Sequence, residues 1–144
     1  MNLTPDTNAQ ALNVPLLAMV DRVVTDHRLH DPALGEFVAV TVQQDWPHDS
    51  VPEVRVQIAS GDVPRAFTAL TAWAELLDEP VVDVRHYEGA VHVGVSGTLS
   101  GDRVTAWTIG YGPTVTKLLR VIAFQRHVTG SAALLDRLAE AVAL

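Results

Sequence analysis

The feature that most restricts this chain is a run of alternating residues between Val81 and Ile109, interrupted by two turn signals, Glu88-Gly89 and Ser100-Gly101. Alternation with a period of two marks strands with unlike faces, and a two-residue loop ending in Gly joins antiparallel neighbours. Counting back from the first loop places Tyr87 opposite Ala90, His86 opposite Val91, Arg85 opposite His92, Val84 opposite Val93 and Val82 opposite Val95. Counting from the second places Val95 opposite Ala106, Gly94 opposite Trp107 and Val93 opposite Thr108. Apolar residues meet apolar residues in both registers, as a sheet with one buried face requires. An indole beside a strand glycine is a compatible cross-strand pair.

The flanking segments supply the rest of the fold. Leu16, Leu17, Val20, Val23, Val24 and His27 form one stripe at helical spacing, which predicts a helix over about 15–29, ended by Asp31-Pro32. Glu36 to Gln43 and Glu53 to Ala59 alternate and read as two more strands, joined by a loop over 44–52. Asp62 followed by Val63-Pro64 starts a helix whose stripe is Ala66, Phe67, Leu70, Trp73, Ala74 and Leu77, with Asp78-Glu79-Pro80 as its stop. Gly110-Tyr111-Gly112-Pro113 is expected to break the sheet. Thr114 then caps a helix whose apolar residues from Val115 to Phe124 cover much of its girth, and which Thr129-Gly130 ends. Ser131 caps a last helix carrying Leu134, Leu135, Leu138 and Val142. The expectation is an α+β fold, order α-β-β-α-β-β-β-α-α, with a mostly antiparallel five-stranded sheet packed with helices. Residues 1–13 are expected to form a flexible tail and 14–144 a single domain.

Composition narrows the function classes. Of the 144 residues, 17 are Asp or Glu and 10 are Lys or Arg, a net charge of −7 that argues against a nucleic-acid backbone as partner. There is no cysteine, so disulfides, thiol catalysis and Cys-ligated metals are excluded. No window reaches the roughly 18 apolar residues of a membrane span, and the first residues lack a secretory signal; a cytoplasmic protein is expected, with no membrane partner.

The face opposite the valines carries the residues with chemistry: Asp83, Arg85, Tyr87, His92, Thr105, Trp107 and Ile109. Arg85, Tyr87, His92, Trp107 and Ile109 are the candidate binding residues, because Arg, Tyr and Trp dominate interface energetics. The alternative is that the C-terminal helices, or a second subunit, simply cover Trp107 and Ile109. The loop residues Trp46 and His48 are a second candidate contact. His27 and His30 lie three apart, a spacing that suits a zinc pair, but no third ligand or HExxH pattern accompanies them, so no metal is expected. The Trp46-Pro47-His48-Asp49-Ser50 run is no catalytic triad, and no GxSxG or phosphate-loop spacing occurs; neither a catalytic residue nor a cofactor is assigned.

Ala72-Trp73-Ala74-Glu75-Leu76-Leu77, the hairpin around Glu88-Gly89, and Gly97-Thr98 through Trp107 together resemble small uncharacterised proteins of actinomycetes and their phages. The resemblance spans about 66–109, implies an actinobacterial source, and brings no activity and no site residue. The leading expectation is therefore a non-enzymatic protein-binding or adaptor module, acidic and soluble, that pairs with itself as a homodimer or with another protein. A small ligand-binding domain or enzyme built on Arg85, His92 and Trp107 is the first alternative. The second is an acidic mimic of DNA, whose mark would be Asp45, Asp49, Glu53, Asp78 and Glu79 gathered on one surface.

Overall fold

The computed structural model describes residues 18–19, 21–22, 31–43 and 52–144. Strands β1 (Phe37–Gln43), β2 (Glu53–Ile58), β3 (Asp78–Tyr87), β4 (Ala90–Leu99), β5 (Asp102–Tyr111) and β6 (His127–Gly130) form one sheet, with helices α1 (Val63–Leu76), α2 (Pro113–Val121) and α3 (Ala132–Ala143). The order across the sheet is β1-β2-β5-β4-β3-β6. Every pairing is antiparallel except β2 with β5, which is parallel.

The hairpin registers hold: Arg85 pairs with His92, Val84 with Val93, Val82 with Val95, Gly94 with Trp107 and Val93 with Thr108. The expected α+β class stands, but the sheet has six strands and is mixed. The sixth, His127–Gly130, lies where the sequence reading had only the end of a helix. It adds to the outer edge of β3, Val84 beside Val128 and Arg85 beside His127. Four residues are too few to display alternation, so no local signal marked it.

Three boundaries differ as well. Asp78-Glu79-Pro80 begins β3, with a bulge before Val81 that Glu79 accommodates at φ 50°. β5 continues through Gly110 to Tyr111, and α2 starts from Gly112 with Pro113 in its first turn, so Thr114 is not the cap. Helix α2 ends at Val121. Phe124 N–H donates to the Leu119 carbonyl at 2.8 Å and Ala123 N–H to that of Arg120 at 3.3 Å, the paired bonds of a Schellman turn. Ala123 and Phe124 therefore lie outside the helix, and its all-round apolar character disappears with them. Asp62 caps α1 as expected, accepting from Arg65 N–H at 3.2 Å.

Helices α1, α2 and α3 pack on one face of the sheet. Val54, Val56, Ile58, Val82, Val84, Val91, Val93, Val95, Val104 and Ala106 share a core with Phe67, Leu70, Trp73, Leu118, Leu135 and Leu138. Trp73 Nε1–H donates to the Leu34 carbonyl at 3.0 Å, tying the short 3-10 turn Pro32–Leu34 to α1. Gly97 is where β4 meets the start of β3: a Cβ there would stand 2.7 Å from the Asp78 carbonyl oxygen and 2.9 Å from Leu77 Cβ. Of the expected first helix, Ala18, Met19, Asp21 and Arg22 are helical, Met19 is buried, and Arg22 pairs with Asp102 at 2.9 Å. The remainder of that helix, the expected tail and the loop over 44–51 lie outside the described residues.

Candidate functional site on the sheet face opposite the valines

Strand alternation that buries the valines turns every second residue to the opposite face, and the strand order sets those residues side by side. One row across the sheet reads Gln57, Trp107, Gly94, Asp83 and Thr129; the next reads Ile109, His92, Arg85 and His127. Arg85, Tyr87, His92, Trp107 and Ile109 thus lie together. The C-terminal helices pack on the valine face, so no described helix covers Trp107. Tyr87 and Tyr111 flank Ala90 at one end of this face and are 55% and 59% exposed.

His92 leans across the space left by Gly94 to stack on Trp107, with ring centroids 4.8 Å apart and planes at 23°. A Cβ on Gly94 would lie 3.6 Å from His92 Cε1, an ordinary contact, so the glycine leaves room without being sterically demanded. The guanidinium of Arg55, from β2, stands 5.8 Å from the indole centroid on the cation–π side of the ring. Its nearest carboxylate, on Glu53, is 3.9 Å away, beyond hydrogen-bond reach. His92 Nδ1 is buried and has no hydrogen-bond partner among the described residues. Burial of the ring, reinforced by the positive charge of Arg55, holds the His92 pKa below the ordinary histidine value of 6.5, so the neutral imidazole is favoured.

Beside this stack, Asp83 binds both Arg85 and His127. Its Oδ2 accepts from Arg85 Nε–H at 3.0 Å, and its Oδ1 accepts from His127 Nε2–H. Burial alone would push the Asp83 pKa up, but the bonds from His127 and Arg85 outweigh it and hold the carboxyl below its usual range. The same bond to Asp83 raises the pKa of Arg85. Ser96 and Thr105 hydroxyls face each other at 2.6 Å between β4 and β5.

Together these side chains line a concave cavity of about 570 Å³ bounded by Arg55, Asp83, Arg85, Tyr87, His92, Gly94, Ser96, Thr105 and, at its far end, Glu53, Asp78, Glu79 and Arg103. Trp107 stacks on the His92 ring that lines it, and neither Trp107 nor Ile109 lines the cavity itself. The three acids at that end are interleaved with Arg55 and Arg103, so the surface alternates in sign rather than presenting a row of negative charge. Asp45 and Asp49, like Trp46, His48, His27 and His30, lie outside the described residues. Among the described residues, no group of three or more His, Asp or Glu is placed to hold a metal ion, and no helix is long and apolar enough to cross a membrane.

Two contributors escaped the sequence reading. Arg55 was legible as the polar side of an alternating strand, but its place beside Trp107 depends on the parallel β2–β5 pairing, for which a single sequence carries no signal. His127 sits on the unrecognised β6. Comparison with protein families, with curated proteins and with solved structures finds no match to this chain.

Proposed function

We propose that this chain is a cytoplasmic, non-enzymatic binding module that holds a partner protein against the face of its sheet opposite α1, α2 and α3. The observation that carries this reading is the segregation of the fold: three helices on the valine face, and Arg85, Tyr87, His92, Trp107 and Ile109 contiguous on the other. Five strand spacings make the face about 24 Å wide, and the three ten-residue strands make it roughly 33 Å long at most, an upper bound of about 800 Å². A standard interface buries about 800 Å² on each partner, so this one face is nearly sufficient. A second copy of the chain is one such partner, and light scattering of the purified protein detects it.

The experiment is site-specific photo-crosslinking. A photoreactive side chain at Tyr87, on the face, is expected to give a discrete adduct that Arg85→Ala weakens. The same probe at Arg65, on the exposed side of α1, is expected to give none. Equal adducts at both positions, or none at Tyr87, overturn the reading.

A second reading, small-ligand binding, is favoured by the cavity itself. Its volume of about 570 Å³ falls within the roughly 300–1,000 Å³ typical of ligand pockets.

A further inference from the structure

The cavity over Gly94 has unlike ends. Toward β2 and β5, Arg55 offers guanidinium N–H groups with no hydrogen-bond acceptor among the described residues, beside the His92 ring that lines the same cavity. Arg85 stands across from His92, but its charge is already engaged by Asp83. Toward β3, Asp78 and Glu79 are exposed at the bulge and make no ion pair among the described residues. The floor between is Gly94 with the Ser96 and Thr105 hydroxyls, polar and free of bulk. From β2 to β3 is three strand spacings, about 14 Å.

We infer that this cavity seats a peptide segment by its two charges, a carboxylate on Arg55 and His92 and a basic side chain against Asp78 and Glu79. The inference rests on the partner-binding reading of this face and names the chemistry of the partner. A carboxylate fits better than a phosphate dianion, because Glu53 and Asp83 line the same cavity and repel a second negative charge. A planar carboxylate also matches the fork of a guanidinium. The distance suits a short segment: three extended residues cover about 10 Å, and a lysine side chain supplies the remainder. A carboxylate at this position faces Arg55 from β2, Arg85 and Asp83 from β3, and the Trp107 ring from β5; its charge favours protonated His92.

The probe is the tripeptide Lys-Gly-Gly, followed by NMR of the His92 ring during a pH titration of the whole protein. The expected result is a saturable shift of the His92 resonances with an upward move of its pKa. The C-terminal amide of the same peptide and the Arg55→Gln variant are each expected to bind at least about tenfold more weakly, the loss of one charge-assisted hydrogen bond. Asp78→Asn with Glu79→Gln changes two exposed side chains at nearly constant size, and is expected to weaken the lysine end alone, so that acetate still shifts His92. A peptide amide that binds as well as the acid overturns the inference, and so does a His92 signal that never responds. If Tyr87 still yields a specific adduct when the tripeptide fails, the face binds a partner of other chemistry, and only the assignment of charges falls.

Discussion

His92 and Trp107 lie on neighbouring strands two positions out of register, and their rings stack at 4.8 Å because Gly94, the direct neighbour of Trp107, has no side chain to separate them. The stack sits on the face that no described helix covers, with Arg55 over the same indole. Aromatic pairs contribute about 0.5–1.5 kcal/mol and an exposed cation–π contact about 0.5–1 kcal/mol. Trp107→Ala is expected to destabilise the protein by about 2 kcal/mol in urea unfolding, and Trp107→Phe by clearly less. An alanine variant as stable as the wild type would mean that the rings do not touch in solution.

The two strand glycines of β4 are expected to respond oppositely to the same change. In Gly97→Ala the new methyl meets backbone at 2.7 Å, so β3 must move or the variant loses upwards of about 2 kcal/mol. In Gly94→Ala the nearest atoms are at 3.5 Å or more, and relief of glycine's backbone entropy offsets any crowding. That variant is expected to match the wild type within about 0.5 kcal/mol while narrowing the cavity floor. Thermal unfolding of the pair gives the comparison.

Ala123 occupies the left-handed position that closes the Schellman turn after α2, at φ 54°. Glycine has no steric penalty there, whereas an L-residue carries about 1 kcal/mol. Ala123→Gly is expected to raise stability by about 0.5–1 kcal/mol, read as a higher urea midpoint with an unchanged slope.

Acid sensitivity has a definite sign at two positions. The His92 pKa is lower in the folded protein than in the unfolded chain, so its contribution is complete above pH 6.5 and is lost as pH falls through the folded value. Asp83 behaves likewise lower down: its contribution holds above its ordinary value of 3.8 and disappears as pH drops through its depressed one. Stability measured from pH 7.5 to 5 is expected to fall for the wild type and to fall less for His92→Phe. Asp83→Asn is expected to flatten the limb below pH 4 instead. A His92→Phe profile parallel to that of the wild type would contradict a buried neutral imidazole.

What was readable in advance follows the range of the interactions involved. The β3–β4–β5 registers are local, set by Glu88-Gly89 and Ser100-Gly101, and every pairing expected from them is present, down to Gly94 beside Trp107. The candidate residues Arg85, Tyr87, His92, Trp107 and Ile109 share a face for that reason alone. Arg55 reaches the site through a parallel pairing between strands separated by α1 and two hairpins, a contact no local pattern encodes. His127 arrives on a strand of four residues whose position depends on an open edge of β3. The apparent girth of α2 was misleading because Ala123 and Phe124 continue the apolar composition past the point where the backbone leaves the helix.

The most direct measurement is calorimetric binding of the partner recovered through the Tyr87 adduct to variants on the two sides of the sheet. Loss of at least tenfold in affinity for Arg85→Ala and Trp107→Ala, with Arg65→Ala and Arg137→Ala unchanged, is the result expected if the face opposite α1, α2 and α3 makes the contact. Equal losses on both sides, or a loss confined to the helix side, would contradict it.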